Sequence, residues 1–126
     1  MHDLPDPDQL LATAAAFLRE QAAPALDGRA GFHARVMANV IDIARRQLSL
    51  APAAAHAERG RLAALLGAVG DLETLNRQLC EGIRSGRVDA DSPDLAAHLW
   101  QTTLDKLAVD QPRYAAYRRE TGTDID

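Results

Sequence analysis

Arg35, Asn39, Asp42 and Arg46 follow one another at spacings of 4, 3 and 4, so a helix through them carries all four on one face. Guanidiniums, an amide and a carboxylate in one row can pair with each other or grip a phosphate or carboxylate. A second polar row, His98, Thr102 and Asp105, has Lys106 one residue aside and Asp110 just beyond. If the two helices are neighbours, Arg35 meets Asp105 or Asp110, and Asp42 meets Lys106. The candidate polar cluster is therefore His33, Arg35, Asn39, Asp42, Asp105, Lys106 and Asp110. In its buried form it needs complete hydrogen bonding, because unpaired buried charge is costly. The plainer alternative is a solvated face laced by pairs such as Asp42 with Arg45 and Arg46, and both readings stay open.

The rows have to be positioned by helices, and the chain is punctuated as a series of them. Asp6 is a good N-cap and Pro7 a good first residue for a helix reaching about Ala23, where Pro24 ends or kinks it. Asp27 and Gly28 open a second helix to about Ser49. It is the greasiest in the chain, with Phe32, Val36, Met37, Val40, Ile41, Ile43 and Leu48, and is expected to be the most buried. Pro52 marks a third start, reaching Leu66, with Gly67 and Gly70 as stops. Asp71 caps a fourth helix through Ser85, its inner row Leu72, Leu75, Leu79 and Ile83, with Gly86 at the C′ position. Ser92, Pro93 and Asp94 announce a fifth helix, which carries Leu95, Leu99, Trp100, Leu104 and Leu107. Asp110-Gln111-Pro112 leads into a short sixth with Tyr114 and Tyr117. No stretch alternates with period 2 long enough for a strand. The expectation is an all-α, single-domain helical bundle over residues 1–126, five main helices plus a short C-terminal sixth. Residues 1–5 and 121–126 are expected to fray, and short loops favour antiparallel neighbours.

Composition narrows the function classes. Twenty-five alanines against five aromatic residues in 126 favour helices packed closely on helices. The net charge is −4, and the arginines are scattered rather than clustered with aromatics, which disfavours nucleic acid. No apolar run approaches a membrane span, and the acidic start has no signal-peptide core. A lone cysteine, Cys80, permits no intrachain disulfide and fits a reducing cytoplasm. Beside Leu79 and Ile83 it reads as a small core hydrophobe, and Trp100 as a core anchor. There is no P-loop, GxGxxG, HExxH, EF-hand loop or CxxC. His2, His33, His56 and His98 have no metal-ligand spacing among themselves. No catalytic residue, cofactor or metal is assigned.

The start Met1-His2-Asp3-Leu4-Pro5, the block from Phe32 to Asn39, Leu75-Asn76 before Leu79-Cys80, and the block from Lys106 to Tyr114 together resemble a small bacterial family of unknown function. The likeness covers nearly the whole chain and implies that Met1-His2-Asp3 is native. One departure is Gln111, where Asn before the proline would cap the sixth helix better. Members of that family are often encoded beside, or fused to, aminoglycoside-phosphotransferase-like kinases, with an acyl-CoA dehydrogenase nearby. The resemblance therefore implies a non-catalytic accessory or binding module for such an enzyme. Two other readings come from the residues. One is a binder or enzyme for a phosphate- or carboxylate-bearing small molecule, with a cleft between the second and fifth helices. The other is a structural homo-oligomer packed through Ala12, Ala15, Ala16 and Ala22.

Overall fold

A computed structural model describes residues 4–123. The expected native start Met1-His2-Asp3, and the outer residues of the two ends expected to fray, lie outside that range. The chain is all-α, as its sequence predicts: α1 (Pro7–Phe17), a π turn (Leu18–Ala22), α2 (Ala23–Ala25), α3 (Gly28–Leu66), α4 (Leu72–Arg84), α5 (Pro93–Asp110) and α6 (Ala115–Thr121), with no strand among the described residues. It divides into two compact units, Met1–Ser49 and Leu50–Asp126.

Proline accounts for two departures from the expected boundaries. At Pro24 the chain stays helical to Ala25, and a π turn widens the coil just ahead of the ring. A regular α-helix there would drive the ring into the carbonyl of Glu20. At Pro52 the expected second and third helices are instead one 39-residue helix, α3, with the proline inside it. Pro52 removes only the bond to the Leu48 carbonyl, and helical residues on both sides carry the coil across it. A third departure is at α6, which starts after Tyr114 rather than at Pro112.

The first unit is an antiparallel hairpin of α1 on the opening part of α3. Asp6 caps α1 as expected, in a capping box with Gln9. Ala15, Ala23, Ala34 and Ala38 are buried in the seam, where small side chains let the helices approach closely. The opening part of α3 is not the most buried element. Phe32 is 60% exposed and Leu48 66%. The seam takes the small-residue face of α3, and so turns the large residues outward. Ala15 being in this seam also removes it from the alanine face expected to meet another copy.

The second unit closes around Leu62 of α3, Leu75 and Leu79 of α4 and Leu95 of α5, with Leu65, Leu66, Ala68, Leu72 and Val88 packed against them. Asp71 accepts from the Thr74 amide at 2.7 Å and starts α4 where the sequence placed it. Gly82 is buried so close to Val88 that an added Cβ would lie 2.7 Å from Val88 Cγ2. Ser92 precedes α5 without a side-chain cap bond. Trp100 is 54% exposed and not a core anchor, because it lies about half a turn round α5 from the buried Leu95, His98 and Val109. Cys80 is exposed for the same reason: it sits well over a quarter-turn from the buried Leu75 and Leu79.

Candidate functional site

The second unit holds a groove of about 960 Å³ between α3 and α5, at the upper end of the usual range for small-molecule sites. Leu50, Ala54, Ala57, Arg61 and Leu65 recur every three or four residues and present one face of α3 to it. Asp94, Ala97, Gln101, Asp105 and Ala108 do the same from α5, with His98 beside Ala97. Alanine at so many of these positions leaves room that larger side chains would fill.

The polar lining is Arg61 of α3 with Asp94, His98, Gln101 and Asp105 of α5. Arg61 Nη2 donates to Asp105 Oδ2 at 3.3 Å and to Thr102 Oγ1 at 3.4 Å, and Gln101 Nε2 donates to Asp105 Oδ1 at 2.9 Å. Among the described residues two buried side-chain nitrogens have no hydrogen-bond partner: Arg61 Nε and His98 Nδ1. His98 is 3% exposed. Burial lowers its pKa, the Arg61 charge lowers it further, and Glu58 opposes weakly, so the imidazole is neutral at neutral pH. Arg61 and His98 both line the groove, with these two nitrogens themselves closed off from solvent. No group of three His, Cys, Asp or Glu side chains among the described residues could hold a metal ion.

This depressed pKa has a measurable consequence. On acidification the unfolded chain protonates His98 near the ordinary value of about 6.5, and the folded chain only at lower pH. Within that window the unfolded state binds more protons, so stability falls as pH falls. His98→Gln is expected to flatten this part of the stability–pH curve, read by urea denaturation from neutral to mildly acidic pH. Identical curves for both proteins would show that folding does not disfavour the His98 cation.

The first unit uses part of the predicted stripe. Arg19 Nη2 donates to Asp42 Oδ2 at 2.6 Å and to Asn39 Oδ1 at 3.4 Å. Arg45 grips Asp8 through two bonds of 2.8 Å and reaches Asp42 at 3.3 Å. Burial works to raise the Asp42 pKa, but the guanidiniums of Arg19 and Arg45 outweigh it and hold the carboxyl below the ordinary range. These pairs bind the π turn and the start of α1 to α3.

A family model described as Domain of unknown function (DUF6285) matches residues 24–114. The chain belongs to this family. The DUF6285 span contains α3, α4 and α5 whole, and with them every residue lining the groove. No curated protein and no solved structure matches the chain.

Within the DUF6285 span the predicted cluster is distributed. Asn39 and Asp42 join Arg19 in the first unit, and His33 and Arg35 are exposed on α3, with the His33 ring 5.8 Å from Phe32. Asp105 lines the groove, whereas Lys106 and Asp110 are exposed on α5. The groove's α3 wall comes from Leu50–Leu65, the stretch that the sequence reading detached as a third helix. Arg61 was therefore missed. Its signal was the row Ala54, Ala57, Arg61 and Ala64, small residues interrupted by one cation. His98 and Thr102 were legible as partners of Asp105 from their spacing alone.

Proposed function

We propose that this DUF6285 chain is a non-catalytic binding module. It holds a small molecule with an apolar body and an oxygen-bearing head in the α3–α5 groove, and serves an acyl-CoA-handling or phosphotransferase-like enzyme. The carrying observation is the pair of buried, unpartnered nitrogens, Arg61 Nε and His98 Nδ1, on an alanine-lined wall. Each buried polar atom left without a partner costs roughly 1–3 kcal/mol, so a ligand oxygen that enters the groove wall and reaches either nitrogen offsets that cost. A carboxylate, a phosphate or a thioester carbonyl supplies such an oxygen, and guanidinium is well matched to the first two. The alanines accept an aliphatic segment at either side. The enzyme partner is supported only by the neighbours common to the resembled family.

A thermal-shift screen of the full chain against fatty carboxylates, acyl-CoAs, sugar phosphates and inorganic phosphate tests this reading. A ligand at 100 times its Kd adds about 2.7 kcal/mol, a visible shift. Arg61→Ala is expected to weaken the best ligand roughly tenfold to a hundredfold, the scale of one charge-assisted contact. Ala97→Leu is expected to block binding by filling the groove. Ligands that bind both variants as they bind the parent would move the site elsewhere. A pull-down that recovers neither kind of enzyme would remove the partner half of the proposal.

A further inference from the structure

The hairpin of α1 and the opening part of α3 is apolar along one outer side. Leu10 and Phe17 of α1, and Phe32, Met37, Val40 and Leu48 of α3, are between 48% and 66% exposed. At 3.6 residues per turn the four α3 residues fall within one half of the helix circumference, and Leu10 and Phe17 fall in one row. In both helices the apolar row is rotated in the same sense from the seam residues, Ala15 in α1 and Ala34 and Ala38 in α3. In an antiparallel pair, equal rotation places both rows on the same side. Asp42, held by Arg19 and Arg45, is rotated the opposite way. The apolar half of α3 carries no charged residue between Phe32 and Leu48; its polar members are His33 and Gln47.

We propose that this face docks a second copy of the chain, two hairpins closing into a four-helix bundle about a two-fold axis. The six side chains expose roughly 700 Å² per copy, close to the ~800 Å² per partner of a stable interface and above the patch size usual on monomers. The α3 half of the face carries no charge, so it meets its own copy without like-charge repulsion and offers a charged partner nothing to pair with.

Light scattering and sedimentation equilibrium on the 126-residue chain test the proposal. The expected mass at micromolar concentration is twice the 13.6 kDa of one chain. Val40→Glu leaves an exposed position exposed in the monomer but buries two carboxylates in the dimer. It is expected to raise the dimer Kd about a hundredfold or more with unchanged helical circular dichroism. Phe17→Glu on α1 provides the same test if Val40→Glu misfolds. Trp100→Glu, on α5, is expected to leave the dimer intact. A parent chain that stays monomeric overturns the proposal. So does a dimer that survives both hairpin variants, or one that only Trp100→Glu separates. A monomer that co-sediments with lipid vesicles would also overturn it and assign the face to a membrane surface.

Discussion

Leu62→Ala is expected to destabilise the unit of residues 50–126 by about 3–4 kcal/mol, lowering its melting temperature by roughly 15–20 °C. Leu62 is fully buried and packs with Leu75, Leu79 and Leu95, so it joins α3 to both α4 and α5. Removing its isobutyl group forfeits the transfer free energy and leaves a cavity whose walls belong to three helices. A cavity bounded that way collapses poorly, which keeps the cost off the lower end of the Leu→Ala range. The core cluster has four buried members, of which Leu62 and Leu75 alone are fully buried, so little remains to compensate. Leu62 also neighbours Arg61, and one turn of α3 thus serves both the core and the groove. Loss of groove binding at temperatures where Leu62→Ala is still folded would show that coupling directly. A loss of stability under 1 kcal/mol would mean that the core is looser than its packing indicates.

The start and stop chemistry of this chain is local, and for that reason it was legible. Asp6-Pro7, Asp71 and Gly86 act through hydrogen bonds and backbone angles within a few residues, and each falls where the sequence placed it. Pro52 was misleading because the cost of an interior proline, about 3 kcal/mol, is a local quantity. It is outweighed by the packing of a helix held on both sides of the break. Periodicity identified amphipathic faces but not which face finds a partner. In α3 the alanine and glycine side was chosen over the phenylalanine and valine side, because close approach of two backbones selects small residues. The same choice left Trp100 outside while His98 went in.

The site was half legible. His98, Thr102 and Asp105 were grouped by spacing alone, and all three now stand within reach of Arg61 or of the groove. Their partner was sought in Arg35, the cation of the most conspicuous stripe. Arg61 stands in a row of alanines instead. A row of small residues offers no hydrophobic signal, and its meaning comes from the space that it leaves between two helices. That space exists only in the folded chain.

Gly31→Ala sets two local effects against each other, and their magnitudes decide the sign. In an open helix, replacing glycine by alanine stabilises by about 1 kcal/mol. Gly31, though, is buried in the first turn of α3, where the chain has just reversed from α2 through Leu26 and Gly28, the latter at φ +56°. A Cβ there would stand 2.5 Å from the Leu26 carbonyl oxygen and 2.8 Å from that of Ala23. Both obstacles are backbone, so no rotamer change relieves them, and the reversal itself must shift. Overpacking of that kind costs about 1–3 kcal/mol, and more where backbone has to move. The net expectation is a loss of about 2 kcal/mol, confined to residues 1–49 and read as faster hydrogen exchange there while residues 50–126 keep their protection. Because the hairpin also presents the proposed docking face, the variant should weaken dimerisation as well, without touching any side chain on that face. A Gly31→Ala chain more stable than the parent would show that the close approach of α2 to α3 is not maintained in solution.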